Sequence, residues 1–487
     1  GDTCHLSIAK RSIESITWNA VASVVQVLVG IVRSVLLARL LPVEVFGVYS
    51  MAGSVVSLSV VAAGFGMGEA FLHRAPETEN EDHAAAVWLS LKLVFSSTWL
   101  AMVVLGAFHF ASGQDRLALV VIALTQWGTL LTAVPRQILV RRVVHRRLAL
   151  LQSINLLLSA VMAVILALRG AGLWALLSTN VVTLLVSVCL LYVWRPVWRP
   201  HLAWSPLTVR YLLRFGSSNL LAKVLLRALD RVDDLWAGAY LGRDALGFYS
   251  RAYAFATYPR TILASSVNQV AGGTYAELAG NRRQLSQAFF RTNAFLIRSG
   301  FFLGGLLALV APEFIRILLG TKWLPMLTAF RLMLVFTLLD PIKITVANLF
   351  VAVGQPGAVV RTRAVQLAVM AAGLFALGMP LGIAGVALAV DLMLVLGIGL
   401  LLWQAREYVD FSLWTLFGAP AVGLAIGMLL ARTAIMLPGI LGSPWRSGSV
   451  KLVVFIVAYG ASLFILERRQ LFKMLSSLLK AMAKSDA

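Results

Sequence analysis

Residues 40–50 read LLPVEVFGVYS, and residues 240–250 read YLGRDALGFYS. At an offset of 200 positions the two stretches share Leu41 with Leu241, Gly47 with Gly247, Tyr49 with Tyr249 and Ser50 with Ser250, and further upstream Asn19 matches Asn219. Each copy follows an apolar run at the same place in the hydropathy pattern, in the first hairpin of a half. Six apolar segments separate the copies. Six is even, so the two halves have the same orientation in a membrane, the arrangement of a parallel repeat with a pseudo-twofold along the membrane normal.

Outward from these hairpins the chain is a succession of long apolar runs. A hydrocarbon core about 30 Å thick needs ~20 apolar residues per helix. By that ruler fourteen segments are candidates, near 16–40, 45–71, 84–111, 115–135, 148–168, 172–194, 209–240, 245–270, 287–311, 323–353, 358–379, 382–403, 414–437 and 450–466. The seventh, eighth and tenth are the least apolar. No ~10-residue alternating segments of barrel type occur, and in lipid only a helix satisfies its own backbone at these run lengths. The expectation is an all-α polytopic membrane protein of about fourteen transmembrane helices, with two parallel six-helix lobes and two additional helices. Residues 1–204 form the N-terminal lobe, 205–410 the C-terminal lobe, 411–466 helices thirteen and fourteen, and 467–487 a basic tail. Two like-oriented lobes facing a central cavity are a transporter design.

Composition agrees. Of 487 residues, 60% are hydrophobic and 13% charged, and the mean hydropathy is +0.86; soluble domains carry about twice that share of charge. A water-soluble enzyme is thereby excluded. The 42 basic and 21 acidic residues leave +21, which at this hydropathy points to anionic lipid or an anionic cargo and away from nucleic acid. Cys4 and Cys189 are placed too differently to pair. The six histidines form no HxxxH or Cys/His cluster, so no metal site is expected. The first apolar run lacks a cleavage-type site, so no secretory signal is read. No GxxxxGK[ST], HExxH or GxSxG occurs; neither catalytic residues nor a cofactor are expected.

Orientation follows from the loops. The tails and even loops hold 23 Lys and Arg, clustered as Arg141, Arg142, Arg146 and Arg147 among others; the odd loops hold 7. Both termini are therefore expected on the cytoplasmic side. From Glu467 on, Arg468, Arg469, Lys473, Lys480 and Lys484 alternate with Leu471, Phe472, Leu475, Leu478 and Leu479. This reads as an amphipathic helix on the anionic cytoplasmic leaflet, or as a docking site for a partner enzyme.

A charge in hydrocarbon costs at least ~2.5–3.5 kcal/mol and faces a cavity or a partner. Away from clear loops, the segments contain ten basic residues (Arg33, Lys92, Lys223, Arg227, Arg231, Arg251, Arg260, Arg298, Arg331, Lys343) against six acidic ones (Glu69, Asp230, Asp233, Asp234, Asp340, Asp391). The excess suggests a hydrated cavity of positive potential. In the seventh segment Asn219, Lys223, Arg227, Asp230, Arg231 and Asp234 share one helix face by their spacing of three or four. That face is either an internal salt-bridge ladder or a cavity wall whose guanidiniums grip phosphate oxygens bidentately. Arg33 lies deep in the first segment. Arg251 and Arg260 stand among Tyr249, Tyr253 and Tyr258, which suits sugar rings beside phosphates and equally an interface belt. Arg298 interrupts an apolar ninth segment. Asp391 could pair with Arg298 or Arg363, or bind a proton or cation; Asp230, Asp234, Asp340, Lys343 and Asp391 are the candidates for coupling or gating. Pro135 and Pro341 occupy corresponding helices of the two lobes and are candidate kinks. Gly64, Gly66, Gly68 and Gly300, Gly304, Gly305 suit close helix contact rather than a phosphate loop.

The stretches LLARLLPVEVFGVYS (36–50), GFYSRAYAFATYPRTILASSVNQVAGGTYAEL (247–278) and APEFIRILLGTKWLPMLTAFRLM (311–333) resemble Wzx-type polysaccharide flippases of the multidrug/oligosaccharidyl-lipid/polysaccharide (MOP) superfamily, in their exopolysaccharide-exporting subset. The resemblance implies a V of two lobes that opens alternately to either side. It implies a cargo, an undecaprenyl-pyrophosphate-linked oligosaccharide repeat unit, moved to the outer leaflet of a bacterial inner membrane without direct ATP hydrolysis. It also implies that cavity arginines hold the pyrophosphate; Arg33, Arg227, Arg231, Arg251 and Arg298 match that role by helix and character, with Arg260 beside them. Membrane lipids and a polysaccharide polymerase and co-polymerase would be further partners, and a monomer would be the functional unit. Three rival readings stand beside it: a lipid II flippase, a cation-coupled multidrug exporter of the same superfamily, and a membrane glycan ligase or polymerase. The exporter would want acids in the first helix, which has none beyond Glu14; the ligase would want a large outward loop, and the odd loops are short.

Overall fold

The computed structural model describes residues 26–73, 80–142, 144–194, 196–436 and 443–485. Lys10, Arg11, Asn19, Arg74 and Arg195, and the side chains of Asn219 and of the basic tail from Arg469, lie outside the described residues. All regular structure among the described residues is helical: α1 (26–40), α2 (Val43–Gly64), α3 (Met67–His73), α4 (Glu81–Phe110), α5 (Gly113–Arg141), α6 (His145–Leu168), α7 (Leu173–Val188), α8 (Pro206–Tyr240), α9 (Arg243–Leu278), α10 (Arg282–Phe314), α11 (Leu327–Ala352), α12 (Pro356–Gly373), α13 (Met379–Ala405), α14 (Leu413–Ala434) and α15 (Pro444–Ser485). With the short α3 set aside, these correspond to the expected segments. Among the described residues ten stretches are long and apolar enough to cross a membrane, one of them the whole of Pro356–Ala405. Gly382, at φ 59°, turns the chain inside that stretch and makes two helices of it. Neither α8 nor α9 is among the ten; their charges lower the hydropathy, as the sequence foreshadowed.

Helix ends follow local chemistry. Asn281 accepts from the Gln284 amide at 3.1 Å to cap α10, and Ser205 accepts from Thr208 N, with Pro206 at the first helical position of α8. α2 stops at Phe65 (φ 41°) and Gly66 (φ 69°), a left-handed exit that only a glycine takes without strain. The exit sets α3 off as a separate turn. α5 and α11 continue through Pro135 and Pro341.

The chain forms two compact units, Gly1–Arg251 with Leu367–Val386, and Ala252–Gln366 with Ala387–Ala487. In the first unit α2 packs on α8, α5 and α4, and α5 packs on α7. The core gathers Met67, Phe71, Trp88, Val134, Ile138 and Leu212, with the Phe71 and Trp88 rings stacked at 5.1 Å. The repeat becomes a contact here. A Cβ on Gly47 would strike the carbonyl oxygen of Arg243, and a Cβ on Gly247 would strike that of Val43. Shifted by 200 positions, each of these contacts becomes the other. A contact that is its own image in this way marks a local twofold, and glycine at both positions lets the backbones meet.

The second unit is organised by α10 and α15, which run antiparallel. At one end Lys451 Nζ meets Glu313 Oε1 at 2.6 Å; at the other, Arg298 Nε and Nη2 grip Glu467 Oε2 and Oε1 at 2.5 and 2.6 Å. Tyr459 donates to the Arg298 carbonyl at 2.8 Å. Between the two ion pairs Leu309, Ala431, Phe455 and Tyr459 form an apolar cluster. A second tie lies outside the spans: Arg282 Nη2 meets Asp410 Oδ1 at 2.8 Å and Nη1 donates to the Glu407 carbonyl at 2.8 Å. The hydrogen bonds from Arg282 hold the Asp410 carboxyl below the usual carboxylate range.

Candidate functional site

The charged face of α8 divides into three. At its C-terminal part, Arg231 Nη1 donates to Asp234 Oδ2 at 3.1 Å, Ser54 Oγ donates to the same oxygen at 3.0 Å, and Tyr249 donates to Asp233 Oδ2 at 2.6 Å. The Arg251 guanidinium lies over the Phe46 ring, 4.6 Å from its centroid. Both aspartates are buried. This part is a ladder in which acids offset the arginines. One helical turn or two toward the N-terminus, Lys223 pairs with Glu69 of α3, and Lys92 of α4 is buried with its ammonium 4.8 Å from the Trp88 ring. Between these two parts stands Arg227. It is exposed and makes no hydrogen bond or ion pair among the described residues. Asp230 is exposed on the same helix. The ladder and the open guanidinium thus share one face.

Arg33 projects from α1, and its Nη2 donates to Thr179 Oγ1 of α7 at 2.6 Å. Tyr49 and Asn180 meet nearby in the chain at 3.4 Å. In the second unit Asp340 is 2% exposed and takes two cations. Lys343 Nζ lies 2.6 Å from Oδ1, and Arg260 Nε lies 3.0 Å from Oδ2, an ion contact rather than an aligned hydrogen bond. Asp340 and Lys343 form a local pair beside Pro341, and Arg260 joins it. Arg298 is held by Glu467 and not by Asp391, one of the alternatives open for that acid. A carboxylate from α15 takes that place because it presents both oxygens to the guanidinium fork. Asp391 is 7% exposed, and its Oδ1 has no hydrogen-bond partner. No group of three or more His, Cys, Asp or Glu among the described residues could hold a metal.

Sequence reasoning passed over one cluster. Arg243, at the start of α9, reaches Glu44 Oε1 of α2 at 3.2 Å and pairs with Asp115 of α5. The three close over the Gly47–Gly247 crossing. The signal was in the repeat: at the offset of 200, Arg243 is a charge where the first copy carries Val43.

A sequence profile for the family described as polysaccharide biosynthesis protein matches residues 36–328, more than half of the chain. The chain belongs to this family. The succinoglycan biosynthesis transport protein ExoT of Rhizobium meliloti (strain 1021) is 28% identical to it over 324 residues, 65% of this chain and 64% of ExoT. The lipopolysaccharide biosynthesis protein WzxC of Escherichia coli (strain K12) is 22% identical over 361 residues, 71% of each chain. The match thus spans just under two thirds of ExoT. Among solved structures, the lipid II flippase MurJ in an inward closed conformation superposes with a TM-score of 0.72 at 17% identity, over 93% of this chain and 99% of that one. An inward-facing multidrug resistance MATE family transporter of the MOP superfamily gives 0.61 at 17% identity, over 80% and 98%. At such identities the likeness is one of fold.

Proposed function

We propose that this protein is a flippase for an undecaprenyl-pyrophosphate-linked oligosaccharide repeat unit, working in the inner membrane of a bacterium with both termini cytoplasmic. The observation that carries the reading is the family match, laid over a fold shared with a lipid II flippase and a multidrug transporter. The relatives named for succinoglycan and lipopolysaccharide biosynthesis support the same cargo class. In this reading residues 1–204 and 205–410 act as lobes, 411–466 as the accessory pair and 467–487 as a membrane-surface tail. A pyrophosphate stripped of water without compensation is too costly to carry. Arg227, exposed between two charge-balanced parts of α8, and Arg33, hydroxyl-bound on α1, replace that water. Arg231 and Arg251 shape the field around them, and Arg260 is the corresponding candidate in the second unit. The Gly47–Gly247 crossing and the Arg243 latch close the face of the odd loops, and their release opens it. Asp230, Asp234, Asp340, Lys343 and Asp391 are the groups through which an ion or the membrane potential, at about 2.3 kcal/mol per charge per 100 mV, would act. The cargo crosses unaltered, and the protein makes and breaks no covalent bond in it.

Export of the polysaccharide in cells that carry Arg33→Ala or Arg227→Ala tests the assignment. Both variants are expected to insert at normal levels and to lose export. Normal export by both removes these arginines from the cargo path. Native mass spectrometry of the gently extracted protein tests the cargo: a co-purifying polyprenyl-pyrophosphate oligosaccharide is expected, and ordinary phospholipids together with saturable binding of an organic cation would replace the flippase by a drug exporter.

A further inference from the structure

The first unit contains a cavity of about 680 Å³ bounded by α1, α5, α6 and α7. Its lining is unlike a membrane-helix interior. Gln26, Gln126, Gln152 and Asn155 converge on it. The three glutamines make no hydrogen bond among the described residues, and the buried Oδ1 of Asn155 has no partner. Thr129, Ser159 and Thr183, also in the wall, each donate to a carbonyl of their own helix at 2.8, 3.1 and 2.7 Å. Their hydroxyl oxygens therefore face the cavity with accepting lone pairs. Among the described residues no acid lines it, and Arg136 is the one cation in the wall.

Helix packing does not account for such a wall. Buried polar groups need partners; the Oδ1 of Asn155 is buried without one, and the half-buried Gln26 and Gln126 and the exposed Gln152 bring further amide donors and acceptors to the same wall. The volume falls within the ~300–1,000 Å³ of ordinary ligand sites. Amides donate and accept in one plane, as sugar hydroxyls require. Without an acid the wall offers nothing to an organic cation. With one arginine it offers little to a multiply charged anion. The same two helices lead to the arginine site. Gln26 and Arg33 are seven residues apart on α1, hence on one face and about 10 Å apart along it; Thr183 and Thr179, the partner of Arg33, are four apart on α7.

We propose that this cavity is a glycan subsite, which takes the uncharged, hydroxyl-rich sugars of the cargo while the arginines take its phosphates. The proposal rests on the flippase reading above. It predicts that the purified protein in nanodiscs binds undecaprenyl pyrophosphate bearing its oligosaccharide, isolated from the producing cells, at least tenfold more tightly than bare undecaprenyl pyrophosphate. In the Gln126→Leu/Asn155→Leu protein that ratio is expected to fall to near one. Gln152→Leu, at an exposed position of the wall, is expected to lower it several-fold with an unchanged melting temperature, and it serves if the double variant does not fold. A wild-type ratio retained by both variants would make the cavity a hydrated vestibule only. A wild-type ratio near one removes the subsite and leaves the flippase reading standing. Binding of neither lipid removes both.

Discussion

Gly47 and Gly247 let two helix starts meet backbone to backbone. At each, a single methyl group would meet a backbone carbonyl rather than a side chain that could swing away. Gly47→Ala or Gly247→Ala should therefore destabilise the protein by about 1–3 kcal/mol, the range of overpacking, and the double variant by less than the sum because both methyls part the same crossing. Thermal unfolding in detergent checks this; single variants that melt with the wild type would show that the helices do not meet so closely. The two glycines were visible in the sequence as a repeat. That each touches the other copy's helix start was not, because a repeat specifies equivalence and says nothing of distance. Arg227 and Arg231 teach the same lesson. Four residues apart on one face, they read alike, yet Arg231 is answered by Asp234 and Arg227 is open.

Among the elements, α10 and α15 show how a late helix is secured to the bundle. Arg298 and Glu467 are both nearly buried, so removing either strands the other's charge. Glu467→Gln or Arg298→Met should cost about 3–5 kcal/mol, whereas Arg298→Met combined with Glu467→Leu should recover most of it. Equilibrium or thermal unfolding of the three variants is the check, and export by the double variant separates an anchoring role from contact with cargo. Loss of export in a stable double variant would return Arg298 to the cargo path. Lys451 and Glu313 repeat the arrangement at the other end. The sequence singled out Arg298 as a charge without local company, and rightly. Its partner lies 169 residues away, beyond any reading of helical spacing.

For the whole molecule the testable quantity is orientation. The excess of Lys and Arg in the even loops places residue 199 on the cytoplasmic side and residue 169, at the α6–α7 turn with Gly170 and Gly172 at positive φ, on the other. With Cys4 and Cys189 replaced, a cysteine at 169 should react with an impermeant maleimide in intact spheroplasts, and one at 199 only after lysis. The opposite pattern would invert the protein and, with it, the direction assigned to transport.

By itself the sequence determined the class of the molecule. Apolar runs of membrane length, the 200-residue repeat, the loop charges and the helical spacing of Lys223, Arg227 and Arg231 are all properties of neighbours along the chain, and lipid leaves helix as the one backbone that satisfies them. What the tertiary structure decided is which buried charge meets which. Arg243 with Asp115, Lys223 with Glu69 and Arg260 with Asp340 are pairings between helices, and the amides of the α1–α5–α6–α7 cavity come from three of them. Helix periodicity fixes the face on which a side chain stands, but the facing residue is set by packing, where the cost of an unpaired buried charge selects the partner.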